Sequence, residues 1–484
     1  MPKIKIKDLV IILPGITGSV LQKNGRDLWA VSRQAITQGL FSGGASLQQL
    51  QLAHDDPDVD DLGDGIQASA LIQDVHMVPG LSKIDGYTGM RRLFTEQFEV
   101  VPGDLHSDRP ANYFEFPYDW RRDNRAIARQ LQQLIATRLP RWRDFSGAQD
   151  ARVILVAHSM GGLISRYYLE VLGGWRDCRT LLTFGTPHRG SVNALGFLAN
   201  GYKQLFIDLT AVLRSCTSVY QLLPIYPMLT VESTNQDQRV AEVNMIPNVD
   251  QARAQAALQF HRDIEKAEQS NQSNPDYLQH GYFQTPIVGV SQPTFQSALF
   301  SGGKLTLLRD RPAILPDNLA DGDGTVPRVS AIPLAQSERF RGFFAAEQHG
   351  SLQNNTTLLD QLYQWMVQLQ APDLSNIRDL APAGPPQERA ALGLELDDLY
   401  TADQPVTLQA TLLNTAQDFG GVVATLRARG QRRRARKVKL QPVQGNHWHA
   451  TVLALPPDIY ELTLATARAD PGAPEPVHGL FAVV

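Results

Sequence analysis

Between residues 152 and 170 the chain passes from a strand pattern to a helix pattern across a single serine. Arg152-Val153-Ile154-Leu155-Val156 is a short β-branched apolar run of the kind that forms a buried strand. Gly162-Leu163-Ile164-Ser165-Arg166-Tyr167-Tyr168-Leu169-Glu170 carries apolar residues at helical spacing. Between them lies Ala157-His158-Ser159-Met160-Gly161, a small-x-Ser-x-Gly junction. So sharp a strand-to-helix turn tolerates only small neighbours, and it lifts the serine hydroxyl onto a helix N-terminus. Ala stands where Gly is usual, so these five residues alone read equally well as an ordinary turn with an N-capping serine.

Partners for the serine lie downstream. Asp321-Gly322-Asp323-Gly324-Thr325-Val326-Pro327 is a turn-rich acidic loop, and Glu347-Gln348-His349-Gly350 follows the apolar run Phe343-Phe344-Ala345-Ala346. The order Ser, Asp, His is the one α/β-hydrolases use. In this reading Ser159 is the nucleophile, His349 the base that takes its proton, and Asp323 the group that orients the imidazole. Asp321 is the alternative acid. Asp323 is preferred because the flanking glycines leave the backbone free to turn its side chain inward. An oxyanion hole requires two donors: the N–H of Met160, and Ile16 in the loop Pro14-Gly15-Ile16-Thr17-Gly18-Ser19. That loop lacks the Gly-Lys-Ser/Thr ending of a nucleotide-phosphate site.

Six segments read as buried strands: 9–13, 113–117, 152–157, 180–184, 286–290 and 341–346. Helical patterns cover 87–98, 124–139, 160–172 and 357–369. Alternation of this kind implies a mostly parallel sheet, with the serine after the third strand. The expected fold is an α/β-hydrolase catalytic domain over residues 1–370. Two long insertions, about 22–83 and 190–284, are expected to form helical caps or lids, since connections of that length are usually functional. The second is markedly apolar at Leu195–Leu198, Leu205–Ile207 and Leu222–Tyr226, which suits either an acyl-chain groove or packing of cap on core. Residues 371–390 have linker composition. Over 391–484 the period changes to two, at 406–412, 422–426, 449–453, 460–464 and 479–484, which predicts an immunoglobulin-like β-sandwich.

At 484 residues, two domains are natural. No apolar run approaches the roughly 20 residues that span a bilayer, and residues 1–7 lack signal-peptide character, so a cytoplasmic location is expected. With only Cys178 and Cys216, free core thiols are expected rather than a disulfide framework. His158 is expected to point into the protein, and His188 to face the cleft behind the reacting groups. Asp56, Asp58 and Asp60 suggest a calcium loop. Asp61 and Gln67, however, stand where an EF-hand needs Gly and Glu, so a solvated acidic loop over 55–64 is expected. No cofactor or metal is implied. The eight basic residues within 427–439 are expected to form a solvated hairpin tip, with transient contact with an anionic membrane surface as the alternative. No aromatic residues are interleaved there, and no nucleic-acid partner is expected.

Around Ser159, Asp323 and His349 the sequence resembles the lecithin:cholesterol acyltransferase family of α/β-hydrolases, which also holds lysosomal phospholipases and phospholipid:diacylglycerol acyltransferases. Pro117-Tyr118-Asp119-Trp120-Arg121 is similar to that family's segment at a strand end, Leu13-Pro14-Gly15-Ile16 to its oxyanion-loop opening, and 321–327 to its acid loop. The resemblance implies acyl chemistry on lipid esters through an acyl-enzyme on Ser159, released to water (lipase or phospholipase) or to an alcohol (O-acyltransferase). It extends over residues 9–370. Gly185-Thr186-Pro187-His188-Arg189-Gly190-Ser191 looks more like bacterial triacylglycerol lipases, and the lid cysteines of secreted members have no counterpart. The reading from a different class is a hydrolase-fold binding module without activity.

Overall fold

Every residue of Leu9–Leu13, Val153–His158 and Cys178–Phe184 is buried, as expected for strands covered on both faces. The computed structural model describes residues 3–29, 47–73, 76–78, 82–204, 207–234, 236–316, 319–336, 343–370, 389–429 and 435–484. Its central sheet has six strands: β1 (Leu9–Leu13), β2 (Tyr113–Glu115), β3 (Val153–His158), β4 (Cys178–Phe184), β5 (Phe283–Gly289) and β6 (Phe343–Ala345). They are ordered β6-β5-β4-β3-β1-β2, and every pair is parallel. This is an α/β-hydrolase sheet, and the serine follows its third strand.

The strand pleat divides the core. Leu9, Ile11, Leu13 and Leu155 face helix α2 (Asn124–Ser146) through its Ile127, Leu131 and Ile135. Val10, Ile12, Ile154 and Val156 face helices α1 (Thr88–Arg92) and α4 (Thr356–Leu369) through Met90, Leu362, Trp365 and Met366. Helix α3 (Met160–Arg166) joins the first group, and α1 and α3 each run on into a π-helical turn. Asp123 caps α2 by accepting from the Arg125 N–H at 2.8 Å, and Asn355 caps α4 by accepting from Leu358 N–H at 3.1 Å. The sequence pattern ends α2 at Leu139, whereas the helix runs through Pro140 to Ser146 and is terminated by Gly147 at φ 73°. Trp142 holds that extra turn: it is buried, and its indole N–H donates to the Lys7 carbonyl at 2.7 Å.

The two insertions differ. The described part of the first is mainly a three-stranded antiparallel sheet (Ser19–Lys23, Arg26–Trp29, Ile66–Leu71), not a helical cap. Asn24 and Gly25, at φ 50° and 76°, make the two-residue hairpin turn that this pair of residue types favours. The second insertion is largely helical (Val192–Asn200, Thr210–Ser215, Thr217–Gln221, Gln251–Asn271, Pro275–His280). Its strand Leu229–Val231 pairs with Ser297–Ser301, part of a further excursion between β5 and β6 that carries Asp323.

Beyond residue 390, sheets of four and five strands enclose one apolar core. Leu392 and Leu408 come from one sheet; Val422, Leu464 and Phe481 come from the other. The expected linker lies almost wholly outside the described residues, as do Phe206, Arg341 and the Arg432–Arg434 hairpin tip, whose flanking strands are Val422–Ala428 and Arg436–Lys439. Both cysteines are buried and free. Among the described residues no helix is long and apolar enough to cross a membrane, and no cluster of three or more His, Cys, Asp or Glu side chains is placed to hold a metal ion.

Candidate active site

In-register pairing brings the C-terminal ends of β1, β3 and β4 level, with Ala157 opposite Leu13 and Thr183. Ser159 follows directly, with φ 52° and ψ −125°, a conformation that non-glycine residues rarely adopt. Close packing holds it there. A Cβ at Gly161 would lie 2.6 Å from the Pro14 carbonyl oxygen, so only glycine lets α3 leave the strand at this angle. Ala157 is accommodated because it sits within the core behind the turn. Ser159 is anchored by its N–H to the Phe184 carbonyl at 2.8 Å, and its own carbonyl accepts from Thr186 Oγ1 at 2.9 Å.

The hydroxyl of Ser159 is 2.9 Å from His349 Nε2, and His349 Nδ1 is 2.7 Å from Asp323 Oδ2. The other carboxylate oxygen of Asp323 accepts from the N–H groups of Thr325 and Val326 at 3.0 and 2.7 Å. The Asp323 carbonyl accepts from His349 N–H at 2.8 Å. Room for this pair comes from glycine at the end of β4: a Cβ on Gly185 would stand 2.9 Å from Asp323 Oδ2 and 3.0 Å from His349 Nδ1. Asp321 lies apart. Its carboxylate accepts from Ser291 N–H at 3.0 Å and faces Arg328 at 3.6 Å, and burial raises its pKa.

Ile16 lines the same cavity as Ser159, and Met160 is the first residue of α3, where a helix leaves its N–H groups without intrahelical partners. The loop of residues 14–19 is fixed by two residues whose part the sequence did not reveal. Tyr118 Oη donates to the Pro14 carbonyl at 2.7 Å, and Tyr87 Oη accepts from Gly15 N–H at 2.8 Å. Tyr87 Oη in turn lies 3.0 Å from His158 Nδ1, and His158 Nε2 lies 3.0 Å from the His349 carbonyl. One polar relay thus ties the loop, the elbow and the histidine turn together. The first link leaves the Tyr87 O–H to donate to Nδ1 and the His158 Nε2–H to donate to the carbonyl. Burial, aided by His349, pushes the His158 pKa down to about 3, which keeps the ring in that neutral form. His158 is the inward-pointing residue the sequence implied.

His188 is not. It lies by a small separate pocket with Arg166, His261 and Glu268, where burial and the neighbouring cations push its pKa down. The acidic loop is solvated at Asp56, Asp58, Asp60 and Asp61, as expected, but part of it also serves the core. Asp55 accepts from Arg122 and from Asp123 N–H at 3.3 and 2.7 Å, and Arg122 donates to the carbonyls of Asp56, Val59 and Asp60. Asp64 pairs with Arg121 at 2.8 Å. Two buried guanidinium groups need acceptors, and this loop supplies them. Residues 117–121 therefore fasten both insertions to β1: Tyr118 holds Pro14, Arg121 holds the first insertion, and the Trp120 carbonyl accepts from Ser218 of the second at 2.6 Å.

A cavity of about 300 Å³ opens over Ser159 and His349. Ala194, Phe197, Leu213, Val219 and Leu222 of the second insertion line one side, while Leu195, Leu198 and Leu223 pack into the core. The apolar insertion thus packs on the core and also lines the cavity.

Residues 106–286 match the lecithin:cholesterol acyltransferase family model. That span takes in Pro117–Arg121, Ser159 and most of the helical insertion; Asp323 and His349 lie outside it. No curated protein matches the chain significantly. Among solved structures, the chain is similar to a Bacillus licheniformis lipase in its mature form (13% identity, 74% of this chain and 91% of that chain, TM-score 0.27). It is similar to the same lipase in propeptide form (13% identity, 98% and 93%, TM-score 0.27). A CARDB domain from Pyrococcus furiosus also matches (10% identity, 20% and 94%, TM-score 0.14). At these identities the chemistry rests on the residues themselves.

Proposed function

We propose that this protein is a serine-dependent lipid ester hydrolase of the lipase or phospholipase type, working through an acyl-enzyme on Ser159. The observation that carries this reading is the hydrogen-bonded line Ser159–His349–Asp323 at 2.9 and 2.7 Å, beneath a cavity with an apolar side. Ser159 Oγ attacks the ester carbonyl carbon while His349 Nε2 takes its proton. Asp323 stabilises the imidazolium. The carbonyl oxygen gains negative charge and accepts from the Met160 and Ile16 N–H groups. His349 then delivers its proton to the departing alkoxide, leaving acyl-Ser159. Water, deprotonated by His349, attacks the acyl carbon and releases the fatty acid with the serine restored. An alcohol in place of water gives a new ester, the O-acyltransferase outcome. The match to the acyltransferase family model favours keeping that second outcome beside the first.

Radiolabelled phospholipid, supplied with and without a long-chain alcohol, tests this. Lysophospholipid and free fatty acid from wild type but not from Ser159→Ala support hydrolysis, and a new ester supports transfer. Equal products from both proteins would overturn the role of Ser159. No product from either, with esters of several classes tried, would leave the binding-module reading.

A further inference from the structure

We infer that the carboxyl-terminal sandwich is a wall of the substrate cavity, with Leu394, Leu396 and Leu480 in contact with the acyl chain; this rests on the reading of Ser159 as an acyl carrier. These three leucines line the cavity over Ser159 and His349, facing the space that the second insertion bounds with Ala194, Phe197 and Leu222. Strand-period sequence at 391–396 and 477–483 gives no sign of chemistry. Only the tertiary arrangement brings it to the nucleophile.

The wall is jointed to the two loops that carry Asp323 and His349. Gln292 is 3% exposed and works on both sides. Its side chain donates to the Leu392 carbonyl at 2.9 Å and accepts from Leu394 N–H at 3.1 Å, while its N–H donates to the Gly322 carbonyl at 2.9 Å, next to Asp323. Glu347, two residues before His349, is fully buried and accepts from His478 N–H at 2.9 Å and from His478 Nδ1 at 2.7 Å. Gly479, between His478 and Leu480, packs tightly enough that a Cβ there would lie 2.7 Å from Leu394 Cδ2 and 3.5 Å from Gln348 Oε1. Arg309 and Glu395, paired at 2.6 Å and half-exposed, complete the join at the rim. An incidental contact between two domains would not bury a carboxylate and an amide with their hydrogen bonds met from both sides.

Shape and chemistry define the ligand. The cavity lies at the lower end of the ~300–1,000 Å³ of ordinary ligand pockets and has apolar side chains on both sides; of its charged lining residues, Arg309 and Glu395 are paired to each other, Asp323 is held by His349, and Asp398 lies on the sandwich side. The apolar flanks suit one flexible aliphatic acyl chain. The sandwich therefore sets acyl-chain selectivity.

A fluorophosphonate bearing a decyl chain with a terminal diazirine, reacted with the full-length chain and then irradiated, tests the placement. Cross-links from the Ser159 adduct into peptides spanning 391–398 or 477–484 are expected. An adduct on Ser159 with cross-links confined to residues before 370 would overturn the wall. Absence of any adduct on Ser159 would overturn the functional reading and this inference with it. Selectivity is tested by Leu396→Trp and Leu396→Ala, at a half-buried position. The ratio of kcat/KM for a decanoyl ester to that for an acetyl ester is expected to fall about tenfold or more in L396W and to rise in L396A. Identical ratios in all three proteins, with Ser159 still labelled, would contradict the inference.

Discussion

The elbow at Ser159 and the sandwich wall opposite it bound the same cavity, yet they are held by different forces. The elbow is fixed chiefly by close packing at glycine: Gly161 against the Pro14 carbonyl and Gly185 against the Asp323 and His349 side chains leave no room for a methyl group, with the Tyr87–His158 relay buried behind them. The wall is fixed by polar side chains reaching across a domain boundary, through Gln292, Glu347 and His478. Steric fixation is insensitive to pH and intolerant of mutation. Polar fixation tolerates neutral substitutions nearby but responds to protonation. The reacting atoms thus sit on the rigid part, and the surface assigned to the acyl chain sits on the adjustable one.

The largest expected effect is on the reacting groups themselves. His349→Ala should lower kcat by on the order of 10⁴-fold or more, since deletions within such a unit are grossly non-additive and large. Asp323→Asn should cost on the order of 10³–10⁴-fold, while Asp321→Asn stays within about tenfold, because only Asp323 reaches His349. Steady-state kinetics on a short-chain ester checks both, and similar losses at 321 and 323 would break the assignment of the acid.

Next comes the packing of the elbow. Gly161→Ala should destabilise the fold by about 1–3 kcal/mol, seen as a lowered Tm, and should reduce activity in the protein that still folds. Unchanged Tm would mean that the contact with Pro14 relaxes freely, and the contrast with the wall would disappear.

A smaller effect is expected from the charged joint. The hydrogen bond to Glu347 lifts the pKa of His478 above its ordinary 6.5, and burial lifts that of Asp85, which faces Arg429 of the sandwich at 3.6 Å, to about 6. Both raised values mean that the folded state favours the protonated forms. The stabilisation is therefore complete below the unfolded values, 3.8 for Asp85 and 6.5 for His478, and is lost as pH rises through about 6 and then through the raised pKa of His478. His158 has the opposite sign: its pKa near 3 contributes stability present above 6.5 and lost as pH falls through about 3. Between pH 6 and 8.5, His478→Gln should accordingly show a shallower fall in Tm than wild type, whereas an identical slope would remove His478 from the joint. The smallest effect on activity is expected from Tyr87→Phe, which leaves Gly15 N–H and His158 Nδ1 without their shared partner: about 1–3 kcal/mol of stability is lost with only a modest change in kcat. Chemical denaturation measures it.

Much of the rigid part was legible because local sequence dictates it. The apolar runs before Ser159 and at 9–13 and 180–184 became strands close to their expected bounds, and the glycines around Asp323 did turn its side chain toward His349. The Asn24-Gly25 hairpin was equally local, and its signal stood in the sequence beside the expectation of a helical cap. What could not be read depended on distant partners. Tyr87 meets Gly15 and His158 across 72 and 71 residues, and Glu347 meets His478 across 131. The acidic run 55–64 is solvated along much of its length, as expected, but nothing near it announces that it also supplies acceptors to the buried Arg121 and Arg122. His188 lies in the turn just after a strand, where cleft residues are often found, but it lines a separate pocket with Arg166 and His261.

The central claim is that Ser159 is a nucleophile made reactive by His349. Tryptic mass mapping after treatment with a fluorophosphonate tests it most directly. The account predicts one adduct, on the peptide containing Ser159, absent in Ser159→Ala and formed far more slowly in His349→Ala. Labelling of another residue, or equally fast labelling of Ser159 without His349, would contradict it.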